Sequence, residues 1–215
     1  GCAHCNLGKY VATKRPALSL DDIKKVLVKA KRLNILHLEH RMGECFLRDD
    51  FMDIMKLTNA EFLNISVITS GVGLTKEKLS EIFDLPGNNR IAFSLDGDTE
   101  EINDAIRFKG SFKKVIECLE HLRTFFLEGR ETSLTIGISH TITNRTLHRV
   151  RKMSKLLEPY PIDTIDCGIV EDMGNNENGE FSITEEQDRA VQKDISWLKA
   201  NLRNGMGDYM GNLRE

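Results

Sequence analysis

The sequence predicts an α/β fold in which the strands of a parallel sheet alternate with helices. Short apolar runs rich in β-branched residues alternate along the 215 residues with segments whose apolar positions recur at helical spacing. Polar or glycine-containing loops follow the apolar runs. Because consecutive parallel strands are joined by right-handed crossovers, these units are expected to form one sheet that helices cover.

The first unit begins with a capped helix. Ser19 supplies a side-chain cap and Asp21 lies in the first turn, so the apolar spacing through residues 19–33 predicts a helix. The short apolar run at 35–38 predicts a strand. Apolar residues return at helical spacing over 46–57, which predicts a second helix after an intervening loop.

The next two units repeat this arrangement. The β-branched run at 65–69 predicts a strand, and the acidic first turn that follows Thr75 predicts a helix starting there. Residues 90–95 predict a strand that ends at an Asp-Gly turn. The apolar stripe through 111–127 predicts the helix that comes next.

The last two units complete a pattern of five strands and six helices. Residues 134–142 and 162–170 predict strands, and 146–157 predict a helix. Thr184 caps a long predicted helix over 184–202. Since ligands bind at the carboxyl ends of the strands in such folds, the loops after the strands are the expected functional region.

The composition predicts a soluble, cytoplasmic protein that binds neither nucleic acid nor membranes. Thirty Lys and Arg residues against 33 Asp and Glu give a net charge of −3, and the interleaved signs argue against a polyanion binder. No stretch approaches the roughly 18 apolar residues of a membrane span. Five cysteines are an odd number and do not resemble a disulfide framework, so a reducing compartment is expected.

Several short polar motifs follow one another along the chain. Cys2 and Cys5 form a Cys-x2-Cys pair, and Asn103 to Phe112 reads Asn-Asp-Ala-Ile-Arg-Phe-Lys-Gly-Ser-Phe. Between them lie Met42-Gly43-Glu44, Thr69-Ser70-Gly71 and Ser94-Leu95-Asp96-Gly97. In their order along the chain, these motifs resemble those of the radical S-adenosylmethionine (SAM) superfamily. The resemblance is to the branch that also carries C-terminal SPASM or twitch cluster domains.

The resemblance implies both a fold and a cofactor chemistry. The implied fold is a partial (β/α)6, TIM-like barrel whose first strand is missing from this sequence. In the family, three cysteine thiolates hold a [4Fe–4S] cluster and leave one iron open for SAM. Reductive cleavage of SAM yields a 5′-deoxyadenosyl radical, which abstracts a hydrogen atom from the substrate.

The resemblance implies two metal ligands and six contacts to SAM. Cys2 and Cys5 would ligate the cluster. Glu44 would meet the ammonium group of the methionine moiety, and Arg107 would pair its planar guanidinium with the carboxylate. The expected SAM contacts are His4, Gly43, Glu44, Ser70, Ser94 and Arg107.

The remaining contacts have narrower expected roles, and no catalytic residue is assigned. The backbone of His4 would lie near the adenine, Gly43 would allow close backbone approach to the ammonium, and Ser94 would lie near the ribose or the carboxylate. Ser70 stands where the family often has a polar asparagine.

Three departures from the family pattern bear on the expected site. The third cluster cysteine would lie three residues before Gly1, outside this sequence. Met42 replaces the first glycine of Gly-Gly-Glu and Cys45 replaces the proline that usually follows, so a larger side chain must fit beside the ammonium. Asn103 replaces a common histidine.

The predicted function is hydrogen abstraction in the maturation of a peptide or protein side chain. The expected partners are that peptide or protein and an electron donor such as a flavodoxin or ferredoxin. The alternatives are a radical SAM enzyme of cofactor or small-molecule biosynthesis, and a degenerate, non-catalytic barrel that serves as a binding module. Residues 1–180 are predicted to form the barrel core, and 181–215 a C-terminal helix and tail.

Overall fold

The computed structural model describes residues 2–5, 18–41, 43–62, 64–170 and 178–201, with side chains up to residue 197. Within these ranges, helices and strands alternate along the chain as predicted. The strands are β1 (His37–His40), β2 (Asn64–Thr69), β3 (Asn88–Ser94), β4 (Thr135–Ile142) and β5 (Thr164–Ile169). The helices are α1 (Leu20–Arg32), α2 (Phe51–Glu61), α3 (Lys76–Phe83), α4 (Glu100–Ile106), α5 (Ser111–Leu127), α6 (Val150–Leu157) and α7 (Glu185–Asn201).

The five strands form one parallel sheet in the order β1-β2-β3-β4-β5, which confirms the predicted α/β class. The architecture is that of a partial, TIM-like barrel. One face of the sheet is apolar: Val67, Ile91 and Ile136 pair in register on adjacent strands and are at most 1% exposed. Because side chains alternate between the two faces of a strand, the helices pack on this face and form the core with it.

The opposite face of the sheet carries mostly polar or small side chains. Ser66, Arg90 and Thr135 pair in register on three adjacent strands, and the next positions on β3 are Ala92 and Ser94. We call this the inner face. Its residues are Glu39, Ser66, Ile68, Arg90, Ala92, Ser94, Thr135, Gly137, Ser139, Thr164 and Asp166.

The first strand begins two residues later than predicted. Asn34 follows α1 with a left-handed φ of 55°, and the Ile35 N–H donates to the Ala30 carbonyl at 3.2 Å. This bond spans the C-terminal turn of the helix, so the start of the apolar run completes that turn. Strand β1 therefore starts at His37 and includes residues that were predicted to be loop.

The second helix also begins later than predicted. Residues 45–47 form a single 3-10 turn (Cys45–Leu47), and α2 starts only at Phe51. Between them, Arg48 Nη2 donates to Asp50 Oδ2 at 2.9 Å. Residues two positions apart lie on different sides of a helix, so this ion pair requires a non-helical backbone.

Two further differences have local causes. Helix α6 starts at Val150 rather than at Thr146, because the Thr146 hydroxyl accepts a hydrogen bond from the Thr143 N–H at 2.9 Å and closes a turn. Helix α4 was not predicted. It has only seven residues after its Thr99 cap, too few to show a helical period in the sequence.

Two of the five cysteines are buried in the core. Cys118 on α5 and Cys167 on β5 are 3% and 4% exposed, and burial raises the pKa of each thiol to about 12. Val191 and Ile195 of α7 are also buried, so this helix packs on the same core. Within the described ranges, no helix has the length and apolar character that crossing a membrane requires.

Gly73 lies where the loop after β2 touches the turn before α2. Its φ is +78°, and a Cβ there would lie 2.6 Å from the Phe46 carbonyl oxygen. We expect Gly73→Ala to lower the free energy of unfolding by about 2–3 kcal/mol, because left-handed strain adds to a clash with backbone. Urea unfolding measures the loss. Gly87→Ala is the control, since φ is +93° there with open space around it, and it should lose about 1 kcal/mol. Equal losses of stability in the two variants would contradict the close approach of Gly73 to the Phe46 carbonyl.

His40 makes the stability depend on pH. Burial lowers its pKa from 6.5 to about 4, and its Nε2 is hydrogen-bonded to Thr58 Oγ1 at 3.3 Å. Below pH 6.5, His40 binds a proton in the unfolded chain but stays neutral in the folded chain. The contribution of the neutral His40 side chain to the free energy of unfolding is therefore fully present above about pH 6.5. As the pH falls towards 4, the protein loses about 2–3 kcal/mol of this contribution. Urea unfolding between pH 7.5 and 4.5 should show that the free energy of unfolding falls less steeply in His40→Gln than in the native protein. Parallel curves would exclude His40 as the cause.

Candidate functional site

The Cys-x2-Cys segment is a tight turn that is attached to the end of α4. The Cys5 N–H donates to the Cys2 carbonyl at 3.2 Å, which closes the turn. The Ala3 N–H donates to the carbonyl of Ile106, the last residue of α4, at 2.7 Å. Because Ile106 is buried, this bond anchors the turn to the rigid core. The structure thus places Cys2 and Cys5 close together beside the helix that follows β3.

A second anchor holds the other side of this turn. Phe181, which is 3% exposed, packs edge-on against the His4 ring with the centroids 6.4 Å apart. The guanidinium of Arg145 lies 4.7 Å from the Phe181 ring centroid. The Asn144 N–H donates to the Phe181 carbonyl at 3.0 Å. The loop after β4 therefore holds Phe181, and Phe181 in turn contacts the cysteine turn.

A buried ion pair lies beside the cysteine turn. Asp96 is completely buried, and Arg107 Nη2 donates to its Oδ1 at 2.9 Å while Arg107 Nε lies 2.7 Å from its Oδ2. The Thr141 N–H also donates to Asp96 Oδ1, at 2.7 Å. The carboxylate thus joins the end of β4 to the residue that ends α4. It also neutralises Arg107, the residue expected to contact the cofactor carboxylate.

The ion pair affects the groups of the cysteine turn. Burial raises the pKa of the Cys2 thiol, and the nearby Arg107 guanidinium opposes that rise. Burial lowers the pKa of His4, with Asp96 and Arg107 acting in opposite directions. His4 Nδ1 is buried without a hydrogen-bond partner among the described residues. Cys2, His4 and Arg107 are therefore brought together in one half-buried polar region.

Glu44 lies in a second polar group at the carboxyl end of β2. Its Oε1 accepts from Thr69 Oγ1 at 2.7 Å, and its Oε2 accepts from the Ser70 N–H at 2.8 Å and from Ser70 Oγ at 2.5 Å. Both carboxylate oxygens are thus held by the end of the neighbouring strand. The structure therefore brings together the predicted residues Glu44 and Ser70, and it fixes the orientation of the carboxylate.

The two other predicted contacts, Gly43 and Ser94, differ in exposure: Gly43 is exposed and Ser94 is buried. Gly43 is exposed with φ +90°, and nothing lies within 4 Å of a Cβ built on it, so the backbone there can be approached closely. Ser94 ends β3 on the inner face, and its hydroxyl has no hydrogen-bond partner in the described part of the chain. Met42, which replaces the first glycine of the Gly-Gly-Glu motif, lies outside the described residues.

Three residues that shape this region were not predicted. Asp96 was expected to form only a turn with Gly97, although a carboxylate directly after a buried strand is a usable signal. Asn103 is completely buried, and its Oδ1 accepts from the Asp96 N–H at 2.9 Å while its Nδ2 donates to Ser111 Oγ at 2.7 Å. Phe181 is a single aromatic residue in a loop, and nothing in its sequence context marks its contact with His4.

The donor set suits iron. Cysteine thiolates are the usual ligands of iron–sulfur clusters. In the ranges that the structure describes, no three or more His, Cys, Asp or Glu side chains converge on a metal-sized site. Cys2 and Cys5 therefore fit two ligand positions of a thiolate-held cluster. Among the described residues, no third ligand lies beside them.

Comparison with protein families and curated proteins gives a consistent result. The family model of the Radical SAM superfamily matches residues 1–169. The mycofactocin maturase MftC of Mycobacterium tuberculosis (strain CDC 1551 / Oshkosh) is 27% identical over 159 residues, which are 74% of this chain and 39% of the relative. The PqqA peptide cyclase of Bradyrhizobium diazoefficiens is 24% identical over 174 residues, 80% of this chain and 44% of the relative. The chain thus spans less than half the length of these relatives.

Solved structures share the fold. Streptococcus suis SuiB bound to the precursor peptide SuiA matches with a TM-score of 0.73 at 12% identity, over 93% of this chain and 43% of that one. Native anSMEcpe with bound AdoMet and the Cp18Cys peptide matches with a TM-score of 0.72 at 15% identity, over 93% of this chain and 55% of that one. At these identities the likeness concerns the fold alone.

Proposed function

The chain belongs to the radical SAM superfamily, and from that premise we propose that the full-length protein is a radical SAM enzyme that matures a peptide or protein side chain. The observation that carries the proposal is the convergence of Cys2, His4 and Arg107 beside the carboxyl ends of the strands. In folds of this kind that edge holds the reacting ligands.

The described residues have distinct tasks in this proposal. When bound, the reduced [4Fe–4S] cluster supplies the electron that cleaves SAM to methionine and a 5′-deoxyadenosyl radical. Cys2 and Cys5 bind the cluster. Glu44, whose carboxylate is fixed by Ser70, accepts hydrogen bonds from the methionine ammonium.

The other expected contacts complete the cofactor site. Arg107, held by Asp96, presents its remaining N–H groups to the methionine carboxylate. Ser94 supplies a hydroxyl to the ribose or the carboxylate, and Gly43 leaves room for the ammonium. The His4 backbone would lie near the adenine. These contacts keep the cofactor oriented and exclude water from the radical.

The substrate class is supported by what the relatives are named for. One is a maturase and another a peptide cyclase, and SuiB was solved with a precursor peptide. We infer that this protein acts on a peptide as well, and that a flavodoxin or ferredoxin in the cytoplasm supplies the electron. Residues 1–180 would form the catalytic core, and 181–215 would lead into the rest of the protein.

Anaerobic reconstitution of the full-length protein tests the proposal. With iron, sulfide, dithionite and SAM, we expect about four iron atoms per chain from this cluster and the formation of 5′-deoxyadenosine, quantified by liquid chromatography. Cluster assembly without any 5′-deoxyadenosine would favour the degenerate barrel that serves as a binding module. Absence of iron–sulfur absorbance would reject the radical mechanism altogether.

A further inference from the structure

The inner face contains an ion pair that the cofactor site does not use. Arg90 on β3 forms a salt bridge with Asp166 on β5, although β4 lies between these strands. The same Arg90 Nη2 atom donates to Thr164 Oγ1 at 3.3 Å. The Arg90 side chain therefore lies across the middle strand of the three.

A glycine on β4 makes this crossing possible. A Cβ at Gly137 would lie 2.6 Å from Arg90 Nη2 and 2.6 Å from Thr164 Oγ1. Any other residue at Gly137 would displace the guanidinium from Asp166. The crossing therefore depends on the combination of an arginine, a glycine and an aspartate on three adjacent strands.

Both charged groups remain accessible. The side chains of Arg90 and Asp166 are 22% and 35% exposed. Among the described residues, Arg90 Nε and Nη1 and Asp166 Oδ1 have no hydrogen-bond partner. The pair thus presents N–H donors next to a carboxylate acceptor, while its two charges cancel.

The pair lies within reach of the cofactor edge. Ser94, Ser139 and Asp166 form one row across β3, β4 and β5 on the inner face. Strands in a sheet are about 4.8 Å apart, so Asp166 lies about 10 Å from the expected SAM contact Ser94. This separation leaves room for a substrate between the cofactor and the pair.

The charges of the pair select the kind of group that it binds. Because the charges of Arg90 and Asp166 cancel, the pair gives no net attraction to an incoming carboxylate or ammonium group. A peptide group carries no net charge and offers one carbonyl acceptor and one N–H donor side by side. It therefore matches the free donors of Arg90 and the free oxygen of Asp166.

We propose that Arg90 and Asp166 form a subsite that binds a backbone amide of the peptide substrate, with Arg90 donating to its carbonyl and Asp166 accepting from its N–H. The subsite rests on the proposed function, since it assumes a peptide substrate on the inner face. It positions the substrate chain relative to the radical and takes no part in the chemistry.

A selected peptide serves as the probe. A displayed library of dodecapeptides is screened for binding to the cluster-loaded, full-length protein. The Kd of one selected peptide, labelled with a fluorophore, is then measured by anisotropy. We expect Arg90→Gln and Asp166→Ala each to weaken binding at least tenfold. Gly137→Ala, which keeps both charges and displaces the guanidinium, should weaken it as well. Arg123→Gln on the exposed face of α5 is the matched control and should change the Kd less than twofold.

An N-methyl scan of the same peptide tests the amide directly. One N-methyl group should weaken binding to the native protein about tenfold and leave binding to Asp166→Ala unchanged, because the lost N–H is the one that the Asp166 carboxylate accepts and alanine has no acceptor. Equal effects of every N-methylation on both proteins would overturn the subsite, as would native affinity in Arg90→Gln or a selection that yields no peptide. Binding is measured without turnover, so loss of 5′-deoxyadenosine formation alone would reject the proposed function and leave the subsite intact.

Discussion

Cys5→Ala in the full-length protein is expected to lose nearly all its cluster iron. After anaerobic reconstitution, iron from this cluster should fall from about four atoms per chain to below about one, and the broad absorbance near 400 nm should disappear. The reason is that three thiolates hold the cluster in the proposed site, and the turn closed by the Cys5 N–H and the Cys2 carbonyl would supply two of them. Removing one leaves too few covalent ligands to retain the cube.

Cys118→Ala is the matched control for this loss. Cys118 is also a cysteine, but it is buried on α5, where burial raises its pKa to about 12 and keeps it a neutral thiol. The variant should retain the cluster and lose only the stability that its small cavity costs, about 1 kcal/mol. If Cys5→Ala retained as much iron as Cys118→Ala, the assignment of the cysteine turn as the cluster loop would be wrong.

Asp96→Ala is expected to lower the free energy of unfolding by about 3–5 kcal/mol. The Arg107 side chain is only 8% exposed, so its charge would stay buried without a counter-ion. The Thr141 N–H would lose its acceptor in the same variant, which adds the cost of a buried unsatisfied donor. Urea unfolding monitored by circular dichroism gives the difference directly.

Two further variants separate the charge from other effects. Asp96→Asn keeps the shape and an acceptor for Thr141, so it should lose less stability than Asp96→Ala. Glu117→Ala removes a carboxylate from an exposed pair with Lys114 and should change the stability by less than about 1 kcal/mol. A loss for Asp96→Ala no larger than that for Glu117→Ala would show that the buried pair contributes nothing.

Much of the fold could be predicted from the sequence because strong local signals agree with the tertiary structure. The stripe of apolar residues over 111–127 gave the bounds of α5 correctly, since a long amphipathic period is hard to mistake. The Ser19 cap also marked the start of α1 correctly. Strand β1 was displaced because the left-handed Asn34 extends the preceding turn into an apolar run, and apolarity alone does not distinguish these two uses.

The candidate site could be predicted only in part. Motifs identified Glu44 and Ser70, and the structure places them in contact at the end of β2. The partner of Arg107 was not predicted, because Asp96 lies 11 residues earlier and its Asp-Gly neighbourhood is typical of a turn. Phe181 acts through a contact with His4 that no spacing rule encodes. Long-range side-chain pairs of this kind depend on the fold, and so their prediction requires it.

The order of the sheet has a consequence for how the chain folds. Every strand pairs with the strand that comes next in the sequence, so each new βα unit can add to an edge that already exists. Each strand pairing therefore closes a loop of only one βα unit. Short loops keep the entropic cost of adding each strand low, which suits folding during synthesis. The bridge between Arg90 and Asp166 spans 76 residues and skips one strand. It can form only after the fifth strand has joined, so we expect the polar inner face to be completed last.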